Sequence, residues 1–429
     1  MLCLKTTFEY LLLLSALVLA SDSFAQTADN HRFFGNLNLI GYSNIGHDDT
    51  SHKNASDKTW LNGGLGRYGF GSTSDNVAAL AEANFAYQYR ASDQLRLHAH
   101  LQVQQSSDHH SARDIGLVEL EARYRYDMDF NQRLTFNAGQ FFLPISMENT
   151  NRFWESPYTI SFSSLNSWIG EEFRPIGIDS TYEYNFDSGK QLSVAATIFG
   201  GNDSMGALLA YRGWSHGRQR TALGDTLSLP ELAILDDTGA FGDQMDSGTK
   251  PFGRDLDKRP GYVVRTSFSG ARYLVNLTWV DNQGDTKLHH GEYAWRTKFA
   301  ILGASWFIGD QLELLGEASS GSSTMGAGPG VDIDFYSAYI MASYLSENLR
   351  YSLRYDQFGI DDKDPTDEDS HDLGRSTTFA VMWAPETSKL HGGAEIHYLN
   401  SKRAKALSNG SLHQDQESIN ISLLAKYTF

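Results

Sequence analysis

The chain has one cysteine, Cys3, so no internal disulfide and no multi-thiolate metal site is available. Basic residues are also in short supply. Lysine and arginine number 35 against 52 acidic residues, a net charge of −17. That balance excludes a general nucleic-acid binder, which needs a basic footprint. Proline is sparse, with nine in the whole chain. Beyond the first 25 residues no apolar run approaches the roughly 20 residues that a bilayer-spanning helix requires. Length alone, 429 residues, would allow two or three soluble domains. A soluble secreted protein fits these facts, and so does a membrane β-barrel, in which only alternate residues face lipid.

The pattern decides between them. In 94–104, Leu95, Leu97, Ala99, Leu101 and Val103 interleave with Arg96, His98, His100 and Gln102. The same period of two runs through 118–126, 176–186 and 349–356. Segments of about ten residues with this alternation, repeated many times, are the signature of a lipid-facing barrel. The connections alternate between short and long along the chain. Short ones fall at 91–93, 127–132, 187–190, 269–271, 309–311, 346–348 and 386–388. Long ones fall at 44–77, 106–114, 143–175, 202–260, 281–291, 321–332, 359–374 and 400–417. This predicts an all-β, transmembrane antiparallel β-barrel of about 16 strands, with short periplasmic turns and long extracellular loops. Every proline lies in a loop or at a strand end, where the missing N–H is harmless. Aromatics such as Tyr89, Tyr126, Phe268, Tyr273 and Trp383 gather beside the short turns, where an interfacial girdle belongs. One segment, 300–308, is apolar on both parities, and its faces are not assignable from the sequence.

The two ends of the chain set the compartment. An apolar run at 11–20, preceded by Lys5 and followed by Ser23-Phe24-Ala25, predicts a signal peptide at 1–25, cleaved after Ala25. Residues 26–429 then form a single transmembrane barrel domain. At the other end Ile419, Ile421, Leu423, Ala425, Tyr427 and Phe429 share one parity and the chain stops on an aromatic. Tyr427 and Phe429 resemble the C-terminal assembly signal of bacterial outer-membrane β-barrels. That likeness implies the outer membrane of a Gram-negative bacterium, with its lipids, its lipopolysaccharide and the barrel-assembly machinery as partners.

The polar parity of each strand is predicted to face the lumen. It carries Arg90, Arg96, Arg123, Arg125, Arg265, Arg272, Arg296, Lys298, Arg350, Arg354 and Lys426. The same faces carry Glu82, Glu119, Glu121, Asp179, Glu183, Glu313, Glu317, Asp356 and Glu395. Two readings are open: a charge-lined path that selects ions, or charges that pair across strands and solvate the interior.

The connection 143–175 holds Phe153, Trp154, Tyr158 and Phe162, too many aromatics for a loop dissolved in water, so it is predicted to fold into the barrel. Gly139-Gln140-Phe141, then Pro144, Ser146 and Glu148, and Arg174 before Gly177, resemble the inward-folding third loop of the phosphate-selective porin O/P family. The resemblance implies a constriction formed by Arg152, Glu155 and Arg174, with Glu148, Glu171 and Glu172 in the same loop, and a homotrimer. The sequence departs from that family in having almost no lysine in the predicted lumen.

The expected function is therefore a porin, a water-filled channel for passive diffusion of small hydrophilic solutes, with anions such as phosphate in its range. It is not expected to be an enzyme. The acids of 361–372 lack the glycine of an EF-hand loop, and the histidines show no ligand framework, so no metal and no cofactor is expected. A barrel enzyme of lipase or protease type is the alternative, resting on Ser408-Asn409-Gly410 near His413. An adhesin or structural barrel is another. A strand expected from Phe33 leaves no room for the plug domain of an energised receptor.

Overall fold

The computed structural model describes residues 30–48, 64–69, 78–104 and 115–429, apart from 238, 243, 245–247, 254, 327, 329, 367–368 and 408–409. The expected signal peptide lies outside the described residues.

The alternating segments become strands because one parity meets lipid and the other meets the interior. In chain order they are β1 (His31–Asp48), β2 (Ala78–Arg90), β3 (Leu95–Gln104), β4 (Ile115–Asp127), β5 (Gln132–Gln140), β6 (Ile176–Asn185), β7 (Gln191–Gly200), β8 (Gly261–Gly270) and β9 (Tyr273–Asp281). A two-residue pair, β10 (Leu288–His289) and β11 (Glu292–Tyr293), follows. Then come β12 (Trp295–Ile308), β13 (Leu312–Met325), β14 (Val331–Ser346), β15 (Leu349–Asp362), β16 (Asp372–Trp383), β17 (Leu390–Leu407) and β18 (Gly410–Thr428).

All strands except β10 and β11 join one closed sheet, so the barrel has 16 strands, each antiparallel to its neighbours. Closure rests on the C-terminal strand. Leu37 pairs with Tyr427 and Leu39 with Ala425, and Gly35 and Phe429 exchange both backbone hydrogen bonds at 3.1 Å. The Phe429 ring lies where a side chain on residue 35 would stand, so only glycine fits that position.

The seven short turns all lie at one end. The other end carries the long connections, with two exceptions to the predicted alternation. β13 and β14 extend until only 326–330 separates them, and β17 and β18 leave only 408–409. Pairing continues past the expected strand ends because outward polar residues there pair strand to strand, as Lys402 does with Asp415. At the short-turn end aromatics form a belt in which Phe186, Phe268, Tyr273 and Trp306 follow one another in ring contact.

β12 shows why 300–308 has no polar face. Its buried residues Trp295, Thr297, Phe299 and Ile301 point inward, while Leu302 and Trp306 are exposed on the outer face. The inward side is apolar because it packs on protein rather than water: Phe299 meets Trp168 at 5.0 Å and Phe173 at 5.7 Å. This corrects the lumen assignment of Arg296 and Lys298, which stand on the exposed, outer parity near the long-loop end. There Arg296 pairs with Asp281 at 3.3 Å.

Two connections fill much of the interior. Residues 141–175 and 201–260 are largely buried, and their aromatic and aliphatic side chains join inner-wall residues of β7, β8, β9 and β12–β15 in one hydrophobic core. Between these apolar wall positions the inner face also carries small polar residues: Ser319, Ser323, Ser337 and Ser376 are all buried on inward positions.

Candidate functional site

The infolded segment 141–175 spans the lumen. On one side Arg174 donates to the Val118 carbonyl of β4 at 3.3 Å. On the other, the helix Ser164–Glu172 rests on β14, with Ser164 Oγ and Ser337 Oγ at 2.8 Å and Trp168 against Phe335 at 5.2 Å. The helix starts where it does because the Ser163 side chain accepts from the Asn166 amide.

Each predicted constriction residue has a defined place. Glu148 is fully buried and accepts from Arg354 at 2.5 Å and from the Ser163 amide at 2.9 Å. Arg354 also donates to Asp356 at 2.8 Å and to the carbonyls of Ser161 and Phe162. Glu155 lies between Lys426 at 2.5 Å, Arg218 at 3.2 Å and Arg220 at 3.7 Å. Burial alone would raise its carboxyl, but Lys426, then Arg218 and Arg220, outweigh that and hold it at about 2. Arg152 is exposed to a cavity and stacks over the Phe34 ring at 4.6 Å.

Glu171, Glu172 and Arg174 are buried. Glu171 pairs with Arg212 at 2.6 Å. Among the described residues Glu172 meets no cation, yet it collects four donors: Trp168 Nε1 at 2.8 Å, Thr249 Oγ1 at 3.0 Å, and the Gly206 and Leu208 amides at 3.1 Å. Burial still dominates and pushes its carboxyl up to about 7. Arg174 sits over the Phe142 ring at 3.7 Å and, among the described residues, donates only to backbone carbonyls, and burial lowers its guanidinium to about 9. Glu172 and Arg174 are thus groups that tie 141–175 to 201–260 and to the wall.

The predicted wall arginines divide by depth. Arg265 is buried and pairs with Asp179 at 2.6 Å, and Arg350 lies 3.8 Å from Glu313. Arg90 pairs with Asp93 beside a short turn, and Arg272 lies 3.8 Å from Asp310 in another. Arg96, Arg123, Arg125 and, beyond the predicted set, Arg133 line a cavity of about 430 Å³ at the short-turn end. Arg123 pairs with Glu121 at 3.2 Å and Arg125 and Arg133 share Asp127. A neighbouring cavity of about 720 Å³ is lined by Arg123, Arg152, Glu121, Glu183 and Arg265. A third, of about 570 Å³, reaches Glu155, Arg218, Arg350 and Lys426. Many wall charges therefore pair across strands, and the exposed arginines concentrate at one mouth.

Sequence reasoning missed the residues that come from outside the strands. Arg218 and Arg220 of the second infolded segment both pair with Glu82 of β2. Arg67 grips Asp372 with two bonds of 2.6 Å. The signal was present in 207–220, where Tyr211, Trp214 and three arginines crowd a stretch too rich in aromatics for water. The serine–histidine match at 408–413 lies where side chains are outside the described residues.

No family model matches this chain, and no curated protein matches it in sequence. Solved structures do. OmpT, an outer-membrane protein expressed in Vibrio cholerae, aligns over 94% of this chain and 99% of its own at 10% identity, with a TM-score of 0.51. The fold is that of the outer-membrane barrels. The outer membrane channel DcaP of Acinetobacter baumannii aligns over 93% of this chain and 97% of its own, at 14% identity and a TM-score of 0.50. An anion-selective porin from Comamonas acidovorans aligns over 93% of this chain and 99% of its own, at 11% identity and a TM-score of 0.50. At such identities the likeness is one of architecture: the chain shares the closed β-barrel fold of these outer-membrane proteins.

Proposed function

We propose that this protein is an outer-membrane channel for passive diffusion of small hydrophilic solutes, with small anions such as phosphate among them. The observation that carries the reading is the cluster of Arg96, Arg123, Arg125 and Arg133 on the inner face of a closed barrel, opening on a cavity of about 430 Å³. Short turns of outer-membrane barrels are periplasmic, so this basic mouth faces the periplasm. Arginine-rich walls raise the local concentration of anions, and the accompanying Glu121, Asp127 and Glu183 temper that preference.

In this reading 141–175 narrows the path. Arg152 reaches the aqueous cavity, while Glu148, Glu155, Glu171, Glu172 and Arg174 fix the backbone that sets the width. The second infolded segment, 201–260, restricts the outer half, and solute passage requires part of it to shift. Residues 1–25 are removed on export, and the barrel works as a homotrimer, as in the porin family whose third loop 143–175 resembles.

The test is conductance in a planar bilayer under a potassium chloride gradient. Discrete steps with a reversal potential of the sign for chloride are expected. The opposite sign would overturn the anion preference. An absence of steps from folded protein would overturn the channel reading and bring the enzyme or adhesin alternatives forward.

A further inference from the structure

Away from the interior, three aspartates converge at the long-loop rim. Asp203 follows β7, while Asp255 and Asp257 stand at the far end of the same infolded segment, just before β8. One carboxylate oxygen of each lies within 4.8 Å of the other two.

Asp203 is 3% exposed. One of its oxygens accepts from the Leu256 amide at 2.5 Å. The other, Oδ1, is sealed from solvent and meets no donor among the described residues. A buried carboxylate with an open lone pair, facing two more carboxylates, is a costly arrangement unless a cation joins it. Among the described residues no ion pair joins a cation to these three carboxylates, and two cations of these loops are engaged elsewhere: His289 with Asp285 at 2.9 Å, Lys250 with Glu292 at 2.7 Å. The two other aspartates are held in place by backbone amides. Asp255 accepts from Lys258 at 2.6 Å, and Asp257 from Arg259 at 2.8 Å and Asp285 at 2.7 Å. Burial, and then the charges of Asp257 and Asp255, push the Asp203 carboxyl up to about 6.

We propose that Asp203, Asp255 and Asp257 form a calcium site that ties the two ends of the infolded 201–260 segment together at the barrel rim. Calcium binds oxygen at about 2.3–2.6 Å, so ligands on opposite sides of one ion stand about 5 Å apart, which accommodates this spread. Magnesium, at about 2.1 Å in a strict octahedron, demands a tighter set. An all-carboxylate donor set without nitrogen or sulfur disfavours the later transition metals. Water completes the coordination on the exposed side, where Asp255 lies. Because Asp257 also accepts from the Asp285 amide, the ion would fix the connection after β9 as well.

The experiment uses the full-length protein in detergent, freed of lipopolysaccharide and stripped with a chelator. It is titrated with calcium chloride in a calorimeter, and its melting is followed with and without calcium. One ion per chain is expected, with a dissociation constant on the order of 10⁻⁴–10⁻³ M, the range of extracellular calcium modules, and a raised melting midpoint. Asp203→Asn should weaken binding at least tenfold. Asp255→Asn, at an exposed position, should do the same in a barrel whose folding is unaffected. Asp361→Asn with Asp369→Asn, at the other acidic group of the rim, should leave it unchanged. No saturable binding to the folded wild type, or full affinity in Asp255→Asn, would overturn the proposal; equal affinity for magnesium would overturn the choice of ion. The readout is binding and not conductance, so it stands or falls apart from the channel reading.

Discussion

Arg354 of β15 and Glu148 of the infolded segment meet at 2.5 Å with both side chains wholly buried, and this pair fastens the segment to the wall farthest from its own root in β5. Arg354 satisfies Glu148 and Asp356 at once, so its removal strands two buried carboxylates. Arg354→Met should cost about 3–5 kcal/mol, the usual penalty for breaking a buried pair from one side. Urea unfolding in detergent micelles measures it. A loss below about 1 kcal/mol would mean that water already screens the pair.

Two carboxylates of that segment should leave opposite marks on the pH dependence of stability. Glu155, held at about 2 against its ordinary 4.5, contributes stability that is present above pH 4.5 and lost as pH falls through 2. Glu172, raised to about 7, makes the folded state bind a proton more tightly than the unfolded one, so its contribution declines as pH rises from 4.5 to 7 and is flat beyond. Their joint contribution peaks near pH 4.5. Melting midpoints of the wild type and of Glu172→Gln across pH 4–8 test this. The variant should show a shallower decline between 4.5 and 7, the remainder coming from other raised carboxyls such as Asp203, and an unchanged slope would assign the effect to another group.

The basic mouth makes a prediction about ions. Arg123 lines both the 430 and the 720 Å³ cavities, and more than half of its side chain is exposed. Arg123→Glu should shift the reversal potential toward potassium without changing thermal stability by more than about 1 kcal/mol, because its pair with Glu121 is exposed on the arginine side. An unmoved reversal potential would place the selective part of the path elsewhere.

The barrel was legible in the sequence because its signal is local: period two, turn chemistry and the terminal aromatic each act within a few residues. The same logic located the inner faces of β3, β4 and β15, where Arg96, Arg123 and Arg354 point inward. It failed at β12, since the rule that polar residues face the lumen assumes water there, and β12 faces Trp168 and Phe173 instead. The partners of the site residues were not legible for a related reason. Glu82 meets Arg220 across 138 residues of sequence separation, and Arg67 meets Asp372 across 305. Such contacts depend on how two loops fold into a closed cylinder, and no local pattern encodes that.

Trp214 tests whether 201–260 restricts the path. Its side chain is fully buried, touches Trp168 at 6.0 Å and Phe335 at 6.1 Å, and donates to the Gly359 carbonyl at 3.1 Å. Trp214→Ala removes the ring that locks the second infolded segment onto the first and onto β14 and β15. A loss of about 3–5 kcal/mol is expected at such a site. The barrel wall does not depend on this ring for its hydrogen bonds, so the loss should fall on the segment and not on the cylinder. Protease added to folded protein should then cut within 201–260 faster than in the wild type, and single-channel traces should show larger or more frequent openings. Faster cutting with unchanged conductance would separate the segment from the permeation path, and the restriction would then belong to 141–175 alone.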